Sequence, residues 1–414
     1  MTFTDLALRP ELQRAVRELG YDQPTPIQQQ AIPPVLAGHD IFGCAQTGTG
    51  KTAAFALPIL NRIAEGFRKG PRALILAPTR ELAVQISESF RDYAKYTRMR
   101  YVVAFGGVSQ RPQVEAIRRG VDIVIATPGR LIDLLDQRVL FLDRIETLVL
   151  DEADRMLDMG FIQPIRRIVK ELPENRQTLF FSATMPIEIR DLAATILRDP
   201  IHVSVTPEST TTETVEQRLM FVEHGMKPQL LSHLLANELE GSVLVFTRTK
   251  RGADRVSRDL QRAGFRADAL HGDKSQDARQ RALRAFKNRQ TRVLVATDIA
   301  ARGIDVSQLP YVINFDVPES PETYVHRIGR TGRAGIEGVA ITLASLDERN
   351  DVRDIERTIR TSIPRVTDHP FAVEEPQPMR RPTNGRPGNS SMDRRGGGGG
   401  GRRRGSFAPR RRSH

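Results

Sequence analysis

The sequence predicts an α/β protein: two tandem domains, each a parallel sheet covered by helices, then a disordered basic C-terminal tail. Three observations carry this. Short β-branched runs alternate with amphipathic stretches through most of the 414 residues, the pattern of strands buried on both faces by crossover helices. The alternation breaks once, in a polar, Thr-rich stretch without apolar period at residues 205–213, and then resumes. After Asp368 the composition shifts to Pro, Gly, Arg and Ser, with six consecutive glycines at 396–401 between arginine clusters. Such a segment has too little apolar surface to fold. The expected division is therefore a first domain at 1–205, a linker at 206–213, a second domain at 214–368 and a tail at 369–414.

In the first domain, strands are expected at 41–45, 73–77, 101–105, 122–126, 147–151 and 178–182. Leu8, Leu12, Val16 and Leu19 mark one face of a helix before them. In the second domain, strands are expected at 243–246, 267–270, 292–296, 312–315 and 339–343. Residues near 345–365 read as helical, without an evident role. Aromatics make up 6% of the chain and Trp is absent, so the cores should be aliphatic.

The single cysteine, Cys44, excludes an intrachain disulfide and a cysteine metal cluster. No run approaches the ~20 apolar residues of a membrane span, and no leader-like segment opens the chain, so no membrane association and a cytoplasmic location are expected. The net charge is +12, and +10 of it lies in residues 380–414, with 11 Arg and one acid. The core is nearly neutral, so any grip on a polyanion there must be local. The tail, with Phe407 among its arginines, has the charge density to tether RNA. A solvated, solubilising tail has the same composition.

The first expected strand runs into Ala45-Gln46-Thr47-Gly48-Thr49-Gly50-Lys51-Thr52 and then a helical stretch. Glycines let backbone N–H groups face a phosphate, Lys51 can reach the terminal phosphates, and the Thr52 hydroxyl suits Mg²⁺. Ala45 stands where the general pattern starts with Gly. About a hundred residues on, an apolar strand leads into Asp151-Glu152-Ala153-Asp154. Asp151 would hold Mg²⁺, directly or through water, and Glu152 would orient the attacking water. The two motifs together point to an ATP hydrolase.

This pairing, Ala45–Thr52 before an apolar strand ending in Asp-Glu-Ala-Asp, resembles the DEAD-box RNA helicase family. The likeness runs from about residue 3 to 340 with the motifs in family order. It implies two RecA-like domains, ATP and Mg²⁺ as cofactors, and RNA as partner. Tyr21 and Gln28 resemble the family's adenine-reading motif, with Phe3 as its upstream aromatic. Ser182 and Thr184 resemble the coupling motif that bonds Asp154. In the second domain, Arg330 and Arg333 match the arginine fingers that reach the γ-phosphate. His326 and Arg327 support that interface, and Asp305 matches a contact near the ribose.

The resemblance also implies a sequence-independent RNA path. It comprises Pro78, Thr79, Arg80, Gly106, Gly107, Thr127, Pro128, Gly129 and Arg130 in the first domain, and Thr247, Arg248, Gln276, Arg279 and Thr297 (beside Asp298) in the second. Helix N-termini and backbone amides bind phosphate without reading bases, and 2′-hydroxyl contacts would favour RNA. ATP and RNA would then be linked through one closure equilibrium that melts short duplexes locally. The compact core and short Arg/Gly-rich tail look like the bacterial RhlE-type members, and ribosomal precursors or the RNA-decay machinery are the expected partners. Intact Lys51, Glu152, Arg330 and Arg333 argue against a non-enzymatic RNA clamp. Gln28 and the Asp-Glu-Ala-Asp spelling argue against a DNA translocase.

Overall fold

The computed structural model describes residues 1–45, 48–64, 70–205, 215–301, 309–332 and 338–373. The linker, Gln46, Thr47, Asp305, Arg333 and the tail from 374 onward lie outside the described residues. None of the described helices is long and apolar enough to cross a membrane.

After a 3-10 turn at Phe3–Asp5 comes a helix, Pro10–Glu18, with Pro at its first position and Leu12, Ala15 and Val16 buried. Leu8, just ahead of it, is also buried. Leu19, expected on the same face, is 40% exposed instead. The helix stops one residue earlier because Gly20 takes φ +74°, and Tyr21 N donates to Val16 O.

Seven strands form the first sheet: β1 (Ile41–Cys44), β2 (Ala73–Leu76), β3 (Tyr101–Ala104), β4 (Ile123–Ala126), β5 (Thr147–Leu150), β6 (Gln177–Ser182) and β7 (Ile201–Ser204). Their order is β3-β4-β2-β5-β6-β1-β7, with every pairing parallel. Every residue of β2, β4, β5 and β6 is buried, because helices cover both faces. One face packs around Phe55, Phe90 and Phe181, the other around Leu131, Leu134 and Ile165. The strand β7 was not expected from sequence. It is an edge strand with only Val203 buried, so it carries no apolar run.

Asp40, just before β1, ties three segments together. Its carboxylate accepts from Thr178 N at 2.7 Å and from Arg198 N at 2.8 Å. These bonds fix β6 and the loop into β7 against β1.

The second sheet holds β8 (Val215–Phe221), β9 (Val243–Thr247), β10 (Ala267–Leu270), β11 (Val293–Thr297), β12 (Tyr311–Asn314) and β13 (Gly338–Ala344). The order is β10-β11-β9-β12-β13-β8, again all parallel. Sequence reading missed β8 because Glu216, Gln217 and Arg218 interrupt it. Gln217 is nonetheless buried, accepting from Tyr324 Oη at 2.7 Å.

The 345–365 region contains the helix Arg349–Ile359, which buries Val352 and Ile355 against β8 and the helix Pro321–Ile328. The chain then returns along the free edge of β8. Leu219 N donates to Pro364 O, Val366 N to Leu219 O, and Val373 N to Phe221 O. Phe371 packs edge-on against His233. The ordered backbone of this sheet therefore continues past Asp368.

A polar bridge joins the two sheets' bodies. Glu81, at the start of the helix Arg80–Tyr93, accepts from Gln276 Nε2 at 3.0 Å and pairs with Arg279 Nη2 at 3.0 Å. All three residues are buried.

The role of Asp40 is open to measurement. Asp40→Ala strands the buried Thr178 amide and frees the part-buried Arg198 amide, and should cost about 1–3 kcal/mol. The expected readout is a lower urea midpoint for the first unfolding transition with its slope retained. An unchanged midpoint would show that Asp40 anchors nothing.

Candidate nucleotide site and nucleic-acid interface

Parallel registry brings the functional segments to one edge. Leu76 lies beside Ala126 and Leu150, Ala126 beside Ala104, and Cys44 beside Ser182. The loops leaving β1, β5 and β6 therefore emerge together, as do those leaving β2, β3 and β4. The first three carry the expected nucleotide motifs and the second three the expected RNA-side motifs. The crevice outside the carboxyl ends of parallel strands is where α/β sheets bind ligands.

On the nucleotide side, Gly48 (φ +87°) and Gly50 (φ +95°) turn the chain from β1 into the helix Lys51–Ile63. Ala45 N donates to Ser182 O at 3.0 Å, which seats the start of the loop on β6. Lys51 is buried, and its ammonium donates back to Ala45 O at 2.7 Å. Thr52 follows, partly exposed.

Gln28 is buried in the helix Pro26–Leu36 and reaches the same loop. Its Nε2 donates to Gly50 O at 3.1 Å while its Oε1 accepts from Thr25 N at 3.0 Å. A Cβ at Gly50 would lie 2.5 Å from Gln28 Nε2, so a side chain there would displace the Gln28 amide in addition to straining φ. Tyr21 is half-exposed between Phe3 and Tyr93, with ring centroids 6.3 Å from each.

The acids follow β5. Asp151 is buried, and its Oδ1 has no hydrogen-bond partner among the described residues. Burial pushes its carboxyl up to about 6, and the neighbouring Glu152 charge adds to this while Lys51 and Arg155 oppose it. A buried anionic oxygen lacking a donor fits a cation ligand. Glu152 is also buried and sits at φ +55°, ψ +52°, a left-handed conformation costing roughly 1–2 kcal/mol for a non-glycine residue. Its carboxylate accepts from Arg155 Nη1 at 2.7 Å. Arg155 was not singled out from sequence, although its position three residues along the same helix was readable.

Asp154 links β5 to β6. It accepts from Thr184 N at 2.9 Å and Thr184 Oγ1 at 3.0 Å, while its own N–H donates to Ser182 Oγ at 3.2 Å. Ser182 Oγ in turn donates to Thr184 O at 2.7 Å.

On the other half of the edge, Pro78 follows β2, and Thr79 caps the helix Arg80–Tyr93 by accepting from Leu82 N. The Arg80 guanidinium lies against Gly106 and Gly107, and a Cβ at Gly107 would meet it at 2.1 Å. Thr127 N donates to Ala104 O, and Pro128 opens the helix Pro128–Asp136, which includes Gly129. Arg130 donates to Gln113 Oε1 at 2.9 Å and to Val108 O at 3.2 Å.

In the second domain, Thr247 and Thr297 end adjacent strands β9 and β11. Arg248 is partly exposed. Gln276 and Arg279, expected on the RNA side, have their polar heads on Glu81. Arg327 is buried and forks onto Asp298 at 2.6 and 2.7 Å, with further bonds to Asn314 Oδ1 and Asp316 O. Asp298, quoted from sequence only beside Thr297, is thus the anion paired with Arg327. Arg330 is buried at the end of that segment.

Comparison with known proteins agrees with this geometry. The DEAD/DEAH box helicase family model matches residues 25–192, and the helicase conserved C-terminal domain model matches 226–335. A DEAD-box ATP-dependent RNA helicase CshA from Bacillus cereus is 42% identical over 365 residues, covering 88% of this chain and 69% of that protein. The RNA helicase CrhR of Synechocystis is 46% identical, covering 87% of this chain and 73% of that one. The structure of Dbp5 from S. cerevisiae bound to RNA and ADP BeF3 superposes with a TM-score of 0.77 at 30% identity, over 88% of this chain and 95% of that one. Two RecA-like parallel sheets, paired family models and relatives of this identity place the chain in the DEAD-box family, as a bacterial-type ATP-dependent RNA helicase.

Proposed function

We propose that this chain is an RNA-dependent ATPase that closes its two domains around ATP and single-stranded RNA, and so melts short duplexes or remodels RNA–protein complexes locally. The observation that carries the reading is the Glu81 bridge. Glu81 neighbours Arg80 on the RNA-side helix and engages Gln276 and Arg279 of the second domain. A contact between the RNA-side loops of both domains is the element that RNA and ATP would jointly bias.

In this reading, the loop at 45–52 cradles the phosphates, Gln28 and Tyr21 meet the adenine, and Lys51 leaves Ala45 O for the terminal phosphates. Asp151 and Thr52 would hold Mg²⁺, which neutralises phosphate charge when bound. Glu152 orients the attacking water. Arg330 and Arg333 supply cationic stabilisation of the transition state, and Asp305 meets the ribose. Asp154, Ser182 and Thr184 transmit between β5 and β6. RNA is gripped through its backbone without sequence preference, in ribosomal precursors or with the decay machinery, in the cytoplasm. The basic tail adds a salt-dependent tether.

Two measurements test this. Steady-state ATP hydrolysis should be stimulated by single-stranded RNA and not by the same sequence as DNA. In Glu152→Gln the stimulated rate should fall by at least about 10²-fold. A chain indifferent to RNA at every salt concentration would sink the reading. Separately, Glu81→Ala leaves the buried Arg279 guanidinium without its anion, a loss of about 2–5 kcal/mol in comparable pairs. RNA-stimulated turnover should drop at least about tenfold while ATP binding is retained. Equal turnover in the two proteins would mean the bridge plays no part in closure.

A further inference from the structure

The start of the helix Arg349–Ile359 holds an ion cluster that the ATPase scheme does not use. Lys227 is wholly buried. Its ammonium donates to Phe315 O at 3.0 Å and to Glu348 Oε2 at 2.6 Å. Glu348 also accepts from Ser345 N and Ser345 Oγ. Its other oxygen, Oε1, lies 3.5 Å from Arg248 Nη2. Arg248 Nη2 donates to Val317 O at 3.0 Å, and Arg248 N donates to Asp316 Oδ2 at 2.8 Å. The Arg248 side chain is nevertheless 42% exposed, so it is held along one edge and open on the other.

Three consecutive carbonyls after β12 therefore each accept from a different cation. Phe315 O takes Lys227, Asp316 O takes Arg327, and Val317 O takes Arg248. This loop is the common floor of the Arg248 surface and of the helix Pro321–Ile328 that carries His326 and Arg327. Burying a Lys–Glu pair contributes little net stability compared with an apolar pair of the same volume. Stability alone therefore does not account for the arrangement, whereas the second carboxylate oxygen does something an apolar pair could not: it stands at ion-pair distance from Arg248, whose Nε has as its other carboxylate the exposed Glu319 at 3.9 Å.

We propose that Glu348 is a positioning residue for RNA binding: it holds Arg248, and through Lys227 the 315–317 loop, in the orientation that meets the RNA backbone. The inference rests on the reading of Arg248 as an RNA contact. It also gives the 345–365 region a role that its sequence did not reveal.

The test measures ATP hydrolysis by the full chain against single-stranded RNA concentration, at saturating ATP, with thermal midpoints recorded in parallel. Glu348→Gln alone leaves Lys227 buried without its anion and can destabilise the domain. Lys227→Met/Glu348→Gln removes both charges and should keep a wild-type midpoint. It should raise the RNA concentration for half-maximal stimulation about fivefold while the maximal rate holds. Arg248→Ala should raise it by a similar factor, and adding Arg248→Ala to the double variant should add nothing further. Additive effects, or an unshifted half-saturation, would leave Glu348 as the partner of Lys227 alone and overturn the proposal. A lower maximal rate with no change in RNA half-saturation would overturn it as well. Should the double variant unfold, Glu348→Asp keeps the charge near Lys227 but retracts from Arg248, and the same shift is expected. A wild-type chain without RNA stimulation would instead strike the function proposed above.

Discussion

A parallel strand delivers its carboxyl end to the same edge as its neighbours, so a sheet of this kind has one functional edge. In this chain the order β3-β4-β2-β5-β6-β1-β7 divides that edge. The loops after β3, β4 and β2 form one half, and those after β5, β6 and β1 form the other. The halves meet where β2 lies beside β5, so Asp151 N donates to Leu76 O only three residues before Thr79 caps the helix Arg80–Tyr93. The half with the nucleotide motifs and the half with the proposed RNA-side motifs thus share a hydrogen-bonded seam. Any shift of β5 against β2 is felt on both sides of it.

The acids after β5 sit in a conformation that their surroundings must hold. Glu152 occupies left-handed backbone space, and three contacts oppose its relaxation. Arg155 grips its carboxylate, Ser182 accepts the next turn's N–H at Asp154, and Thr184 clamps the Asp154 carboxylate. Strain of this kind persists only where the environment over-determines it. The buried Asp151, pushed toward neutrality by desolvation, belongs to the same economy of charge, since its Oδ1 has no donor among the described residues.

Much of this was readable because it is local. The strands β1 to β6 are short apolar runs, and the loop from Ala45 to Thr52 is a contiguous string. What was not readable depends on distant partners. Glu81 directly follows Arg80, which the sequence singles out, but its partners Gln276 and Arg279 lie nearly two hundred residues on, and no local pattern pairs them. Lys227 looks like a surface lysine at a helix start, and only the fold reveals that it is buried. The strand β8 hides its burial behind Gln217, which is satisfied by Tyr324, and β7 has a single inward side chain. Local chemistry was legible, and long-range polar satisfaction was not.

The return strand along β8 changes how the chain can be cut. With Pro364, Val366 and Val373 bonded to β8, the second sheet does not end in an open edge there. A protease or a stop codon acting at Asp368 would remove Phe371 from His233 and the last rung at Phe221, baring backbone groups that invite pairing with other copies. Self-association or lost turnover in such a shortened chain would then report a frayed sheet rather than a missing basic tail. A cut placed beyond Val373 separates the two effects.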